Sequence, residues 1–458
     1  MRTVGIDLGT TKIAVLCVDT DNRTVIWTGS MNHDANMSGN HQWEHLQDPE
    51  KIMGTVNKLL QTALSESGRI DAVAVTGQVH GILYLDASGS AVSPLMTWLD
   101  SRGAQPIDEE HTYSEHVARL SGSVAAPGYG VVTHFYNLRN GLVPASTRSL
   151  ATIISYIASR LAGLSHPVTD PTDAASLGLF DVVNHRYRTD SLRQLGIPDH
   201  FLPRVVDWKD RIGRMPDGTV VATTIGDNQA GFLSAVPDRK SMAMMSIGTS
   251  GQISVFSELP DILPGLELRP FPGGFLQVGA TLSAGATLAA LARFFEETVA
   301  AFGATPAQDI YSRMNSLAES AQGAENRPTV DPRFAGTRDD ATRRGAVTGI
   351  TLSGLTPANL TLSTVEGIVR ELYDLYQRVP QRIRCLHTAV VGAGNGLRRN
   401  SMIRNAVENI FGHRLIVSTV REEAATGAAL LAAVQAGAIE EVETAGRFTL
   451  QPFERTDQ

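Results

Sequence analysis

The sequence predicts an α/β protein of two domains, and three observations carry that prediction. Its 458 residues suffice for about two to three domains. Short apolar runs of strand type alternate with segments of helical period. One local pattern, an apolar strand, a Gly-Thr-hydroxyl turn and a second apolar strand, occurs twice: in "VGIDLGTTKIAVLCVD" and again in "KSMAMMSIGTSGQISVF". The repetition reads as two halves built on one theme, with a boundary near Thr223 that makes the domains 1–223 and 224–458.

The bulk chemistry narrows the class. A formal charge of −8 with no basic stripe argues against nucleic acid or an anionic membrane as partner. No apolar run approaches the ~20 residues that span a bilayer, and no secretory signal opens the chain. Cys17 and Cys385, the only cysteines, both stand in apolar, strand-like surroundings and read as buried free thiols of a reducing compartment. A cytoplasmic enzyme is expected, with a homodimer plausible.

Taken in order, Thr3 to Trp27 reads as an antiparallel meander of three strands. The polar stretch "NHDANMSGNHQWEHLQDPE" follows. His41 and His45 have the i,i+4 spacing of a metal pair but lack a clear third ligand. "PEKIMGTVNKLLQTALSES" is an amphipathic helix, and "DAVAVTG" a buried strand running into Gln78, Val79 and His80. Residues 101 to 214 mix helices and loops. A further strand runs to Gly226 and Asp227 and hands over to a helix. After the second hairpin, "HTAVV" and "GAGNG" form a strand and glycine turn, "REEAATGAALLAAVQAG" a helix rich in alanine, and the last dozen residues a frayed tail.

The motifs carry chemistry as follows. Backbone N–H groups at a tight glycine turn, flanked by hydroxyls, form a small anion site; Gly9, Thr10, Thr11 and Gly248, Thr249, Ser250 each fit. Either turn alone reads as an ordinary hairpin, whereas the pair points to a nucleotide held between two domains. Asp7, at the mouth of the first turn, suits a hard divalent ion bridging phosphates, or simply caps its own turn. Asp227, between a strand and a helix, is either an N-cap or the carboxylate that accepts a hydroxyl proton in phosphoryl transfer. "TGQVHG" and "TWLDSR" offer Gln78, His80, Trp98 and Asp100, hydrogen-bonding groups beside an apolar wall, as a polyol requires. The alternatives are a half-buried histidine and a core tryptophan. "GAGNG" invites a dinucleotide reading, but Leu397 replaces the third glycine and no acid ends the following strand "RLIVSTV".

The ordered set "GIDLGTT", "GQVHG", "W-L-D-S-R", "TDPTDAASLGLFD", "GDNQA", "SIGTSGQ", "F-A-G-T-R", "RGAVTGI", "GAGNGLRRN" and "EEAATGAALLA" resembles the FGGY family of carbohydrate kinases from end to end. The resemblance implies the two-domain actin-like ATPase (ribonuclease H-like) fold with a nucleotide cleft, ATP and Mg2+ as cofactors, and a sugar as substrate. Carried over by position, it makes Asp227 the catalytic base with Asn228 helping to hold the sugar, and sets Asp7 near the metal. Gly9, Thr10, Thr11, Gly248 and Thr249 line the phosphates, and Gly285, Gly394, Asn395 and Asn400 lie toward the nucleotide. Gln78, His80, Trp98 and Asp100 lie at the sugar end. "GQVHG" is similar to the ketose-acting branch of the family. "YSRMNSLAESAQ" and "GYGVVTHFYNL" point to members acting on sedoheptulose, with xylulose next. Asn395 and Lys12 depart from the family pattern; Lys12 is expected to be an exposed strand side chain. Two other classes stay open: an actin-like ATPase or sugar sensor that phosphorylates nothing, which Asp227 speaks against, and a nicotinamide dehydrogenase, which the glycine spacing disfavours.

Overall fold

The computed structural model describes residues 1–337, 340 and 342–447. The expected frayed tail, and Arg338 of the "F-A-G-T-R" motif, lie outside the described residues. The chain packs as two compact units. Unit 1 is Met1–Pro237, Arg269–Gly273 and Glu422–Gln458; unit 2 is Asp238–Leu268 and Gly274–Arg421. The division expected after residue 223 would set Asp227 in the second half, whereas its packing places it in unit 1.

Unit 1 is organised around a sheet. Its strands are β1 (Arg2–Leu8), β2 (Lys12–Asp19), β3 (Thr24–Asn32), β4 (Ala72–Gly77), β5 (Arg211–Arg214) and β6 (Val220–Ala222), in the order β5-β6-β4-β1-β2-β3. β1, β2 and β3 form the expected antiparallel meander, while β4 runs parallel to both β1 and β6. Strands covered on both faces read as unbroken apolar runs, and β1 does so from Thr3 to Leu8 except at Asp7.

One face of this sheet is covered by helices α1 (Pro49–Ser67) and α2 (Ile153–Leu161), which contribute Ile52, Val56, Leu59 and Ile157 to one core with Val4, Ile6 and Val75. α1 begins where the sequence predicts: Asp48 caps it by accepting from the N–H groups of Glu50 and Lys51, and Pro49 occupies the first turn. It stops at Gly68, whose φ of 72° suits glycine. Helix α3 (Pro171–Ser176) follows, capped by Asp170.

Helices α4 (Asp227–Ala235) and, from the far end of the sequence, α9 (Glu423–Ala436) lie against each other, and α9 also rests on β1 and β4. The approach is close enough to need glycine: a Cβ on Gly5 would stand 1.8 Å from the Ala425 carbonyl oxygen, and one on Gly427 1.9 Å from that of Ala230. The alanines of "EEAATGAALLA" leave the room that this contact requires.

Unit 2 repeats the theme. Strands β7 (Met242–Ile247), β8 (Gly251–Ser257), β9 (Gly274–Thr281), β10 (Ala389–Ala393) and β11 (Arg414–Val417) lie in the order β9-β8-β7-β10-β11. β9, β8 and β7 pair antiparallel, and β10 is parallel to β7 and β11. This is the connectivity of β3-β2-β1-β4-β6 in unit 1, so the duplication seen in two hairpins extends to whole sheets. Helices α5 (Gly285–Ala301), α6 (Pro357–Gln377), α7 (Gly394–Arg399) and α8 (Ser401–Phe411) belong to this unit, with a further helix at Ile310–Ser320. Leu288, Val365, Leu372, Leu397 and Ile403 join Met245 and Val390 in its core.

Two readings are corrected. Cys17 is a buried thiol in β2, but Cys385 is exposed, because it follows the short helix Gln381–Arg384 and lies outside any strand. The strand before Asp227 ends at Ala222; Gly226 is the N-cap, and Asp227 is the first residue of α4. Among the described residues no helix is long and apolar enough to cross a membrane.

Candidate active site

In unit 1 the site grows from the ends of β1 and β4. Asp7, the penultimate residue of β1, stands beside Ala14 of β2 and Thr76 of β4. Burial, then the charges of Asp227 and Glu422, raise its carboxyl to about 7; Lys12 pulls it back, and Glu423 raises it again. Lys12 is not a free strand side chain: its Nζ pairs with Glu422 at 2.8 Å. The carboxylates of Asp7, Asp227, Glu422 and Glu423 outnumber the neighbouring cations Lys12 and Arg269, a surplus of negative charge that a divalent cation would relieve. Asp7 has the hard oxygen donors that magnesium takes when it shares its shell with phosphates and water, so the residues fit that ion.

Asp227 reaches solvent from the first turn of α4. Its carboxyl is raised by desolvation, which outweighs the lowering by Arg269, by the Asn228 N–H and by His80. A carboxylate with a raised pKa is a better proton acceptor than an ordinary aspartate. Asn228, the next residue of α4, is buried, and its N–H donates to Asp227 Oδ1 at 2.6 Å.

The first glycine turn is propped from outside. A Cβ on Gly9 would meet the Lys12 carbonyl oxygen at 2.7 Å. The Gly9 carbonyl faces His33 Nε2 at 3.1 Å, and that of Thr11 accepts from the His33 N–H. Gln47 Nε2 donates to the Thr10 carbonyl at 2.8 Å, and Gln78 Nε2 donates to Gln47 Oε1 at 2.9 Å. Gln78 is therefore tied through Gln47 to the turn. Trp98, 47 % exposed and so no core residue, donates from its indole Nε1 to Thr10 Oγ1 at 3.3 Å.

His80 has φ 75°, left-handed for a residue with a side chain. Its N–H donates to Ser176 Oγ, its Nδ1 lies 2.7 Å from the Ser176 carbonyl oxygen, and its ring stacks on Tyr129 at 4.8 Å. A carbonyl only accepts, so Nδ1 carries a proton.

Asp100 has a different fate. It is 1 % exposed, and its carboxylate is held at both oxygens by Arg102, at 2.7 and 2.9 Å, with the His45 N–H on Oδ2. Arg102 also donates to Asn137 and lies over Trp43. This buried clasp holds the segment that carries Trp98, so Asp100 positions the wall two residues away. His41, for its part, stacks on Trp43. Among the described residues no three His, Cys, Asp or Glu side chains are arranged to hold a metal.

In unit 2, the Gly248 and Thr249 carbonyls accept from the N–H groups of Gly285, Ala284 and Ala286 at 3.0 Å, so the second turn rests on the start of α5. A Cβ on Gly285 would stand 2.3 Å from the Gly248 carbonyl oxygen; this glycine serves the turn's packing. Gly394, with φ 82°, and Gly396 bring α7 against the Ile247 carbonyl at the end of β7. Asn400 is buried and caps α8, accepting from the Ile403 N–H at 3.3 Å. The Asn395 side chain lies outside the described residues.

Sequence reasoning missed Gln47, Tyr129, Ser176 and Arg269. "GYG" hinted at Tyr129. Arg269 gives no local signal, because it belongs to a short segment that returns to unit 1 from far along the chain.

Two family models cover the chain almost without a gap: the FGGY N-terminal domain of carbohydrate kinases matches residues 2–243, and the C-terminal domain residues 243–436. The chain belongs to the FGGY family of carbohydrate kinases. Members transfer phosphate from ATP to a sugar hydroxyl. The chain is 28 % identical to mouse (Mus musculus) sedoheptulokinase over 407 residues, 80 % of this chain and 82 % of that one. It is 22 % identical to the xylulose kinase of Bacillus subtilis over 469 residues, 96 % of this chain and 89 % of that one. The crystal structure of the ligand-bound xylulose kinase from Lactobacillus acidophilus superposes with a TM-score of 0.84 at 20 % identity, covering 98 % of this chain and 92 % of that one. The fold is thus that of the two-domain actin-like ATPases. The dehydrogenase reading of "GAGNG" falls with the family assignment.

Proposed function

We propose that this kinase phosphorylates the terminal primary hydroxyl of a ketose, with sedoheptulose as the preferred acceptor. One observation carries the chemistry: the Asp227 carboxylate, at the start of α4, has a raised pKa and lies beside Arg269 and His80. The likeness to mouse sedoheptulokinase supports the choice of sugar.

In this reading Asp227 accepts the proton of the sugar hydroxyl as its oxygen attacks the γ-phosphorus of ATP. The bond from that phosphorus to the β,γ-bridging oxygen breaks, and ADP leaves. His80, oriented by Ser176 and Tyr129, contributes its ring to the binding of a neighbouring sugar hydroxyl. Trp98 supplies the apolar wall, held by its own bond to Thr10 and by the Asp100–Arg102 clasp beneath. The amides of the first turn bind phosphate oxygens and exclude water from them, and Gly248 and Thr249 present the same groups from unit 2. Asp7 would hold magnesium, which when bound neutralises charge on the phosphate oxygens.

A screen of ADP release with sedoheptulose, xylulose, ribulose, fructose and glycerol tests the proposal. The highest kcat/KM is expected for sedoheptulose. A preference for xylulose, toward which the Bacillus subtilis relative points, would replace the seven-carbon sugar with a five-carbon one. A preference for glycerol, or equal ADP release with and without sugar, would overturn the ketose reading.

A further inference from the structure

Unit 1 holds a cavity of about 790 Å3 away from that site, whose lining residues all fall between His166 and Val205 and include none of the site residues above. Its walls are the hairpin formed by strands Phe180–Asp181 and Arg186–Tyr187, the start of the helix Thr189–Gln194, and the segment Asp199–Val205.

Arg188 and Arg204 are exposed on these walls, and among the described residues neither is in an ion pair. His166 and His200 accompany them. The three groups are close neighbours: beyond its burial, and against the raising bond from the Leu202 backbone, the His166 imidazole is pushed down by Arg204 and then His200.

Three acids also line the cavity, and Arg188 lies near enough to Asp181 to lower its carboxyl, but each acid has hydrogen bonds or an ion pair of its own. Asp181 accepts from the N–H groups of Val183 and Asn184 and from Asn184 Nδ2, and lies 4.0 Å from Arg186. Asp190 pairs with Arg193 at 2.9 Å, and Asp199 Oδ1 accepts from the His200 N–H at 2.8 Å. Among the described residues, the cations without an ion pair of their own on these walls are the guanidinium forks of Arg188 and Arg204, with the His200 and His166 rings beside Arg204. Guanidinium matches phosphate oxygens two at a time, so the chemistry favours a phosphate-type oxyanion over a neutral ligand.

The cavity is wired to the catalytic helix. His185, at the hairpin tip with φ 50°, meets the Trp208 ring edge-on at 5.2 Å. Trp208 Nε1 donates to Asp170 Oδ2 at 2.9 Å, and Asp170 Oδ1 accepts from Thr224 Oγ1 at 3.0 Å. Asp170 also caps α3 through the Thr172 N–H, and Thr172 Oγ1 receives the Gly226 N–H at 2.6 Å, one residue before Asp227. On the other wall, the strand Arg204–Val205 pairs with Val168–Thr169, immediately before Asp170.

We propose that this cavity is a regulatory site for a small anion bearing two or more phosphate charges, and that its occupation alters turnover through Asp170 and the start of α4. The experiment is calorimetric titration of the full chain with inorganic pyrophosphate, with excess ADP present to fill the nucleotide site. Wild type is compared with Arg188→Glu/Arg204→Glu and the milder Arg188→Gln/Arg204→Gln. Single-site binding is expected in wild type, weakened about tenfold or more in both variants, with thermal melting and basal sugar phosphorylation unchanged in the glutamine pair. Pyrophosphate should also shift wild-type kcat or sugar KM at least twofold and leave the variants unmoved. Equal binding in wild type and the glutamine pair, or no binding in wild type, overturns the site. Binding with identical kinetics overturns the coupling to Asp227. The binding arm does not depend on which sugar the enzyme accepts.

Discussion

The two glycine turns occupy the same place in two sheets of the same connectivity, yet they differ in chemistry. The first carries Asp7 just inside the strand, where the second has Ser246. The first is also one residue longer: Gly9 to Lys12 lie between the paired Leu8 and Ile13, whereas Gly248 to Ser250 lie between Ile247 and Gly251. The extra residue is Lys12, which pairs with Glu422 beside the acidic cluster. Duplication therefore supplied the backbone cradle twice and the charges once. A turn that offers only amides can bind phosphate but cannot move a proton or hold a cation; that work stays in unit 1.

The most severe test of this asymmetry is Asp227→Ala. Loss of the base should lower kcat about 10³-fold or more with KM for ATP changed little; near-normal turnover would remove the assignment. Asp7→Asn should cost about 10²-fold in kcat, and it has a separate signature in stability. The folded chain holds the Asp7 proton up to about pH 7, against 3.8 for an ordinary aspartate. The wild-type carboxyl therefore favours the folded state at low pH, and this advantage is lost as pH rises from about 4 through 7. Without magnesium, Asp7→Asn should match wild type in melting temperature at pH 4 and exceed it at pH 8. An unchanged difference across that range would contradict the crowded-carboxylate picture.

Gly248→Ala probes the uncharged turn. Among the described residues, no atom beyond its own chain neighbours lies within 4 Å of the added methyl, so melting should stay within about 1–2 °C while KM for ATP rises roughly tenfold, if phosphate approaches that backbone. Unchanged ATP kinetics would remove the second cradle from the mechanism. Lys12→Met should be milder. It takes away a cation that lowers Asp7, and the acid limb of the kcat profile should move to higher pH. A limb moved the other way would show that Lys12 does not act on Asp7. Smallest of all, Cys385→Ser in unit 2 should leave activity and melting unaltered. In the native wild type a thiol reagent should label Cys385 and spare Cys17.

Much of this was legible in the sequence because it is local. Helix α1 is bounded by Asp48-Pro49 and Gly68, and both hairpins by glycine between apolar runs, so periodicity and capping sufficed. The site was legible as motifs, and Asp7, Gln78, His80, Trp98 and Asp227 do lie in one unit. What escaped depends on distant chain. Whether Asp100 meets a sugar or an arginine is decided by the burial of Arg102 under Trp43 and Tyr136, which no spacing records. Arg269 and Glu422 reach unit 1 only because the chain returns to it twice. Cys385 was misread because an apolar neighbourhood in sequence does not fix which side of a helix end faces water.

The seating of α9 on Gly5 has a consequence for how the polypeptide is made. β1 is synthesised long before α9, so its second face stays uncovered until that helix has been made. Until residue 436 has emerged, the nascent unit 1 exposes an apolar stripe and lacks Glu422. A prematurely terminated product ending before α9 should therefore be captured by chaperones and aggregate, even though the residues proposed to face the sugar would already be present.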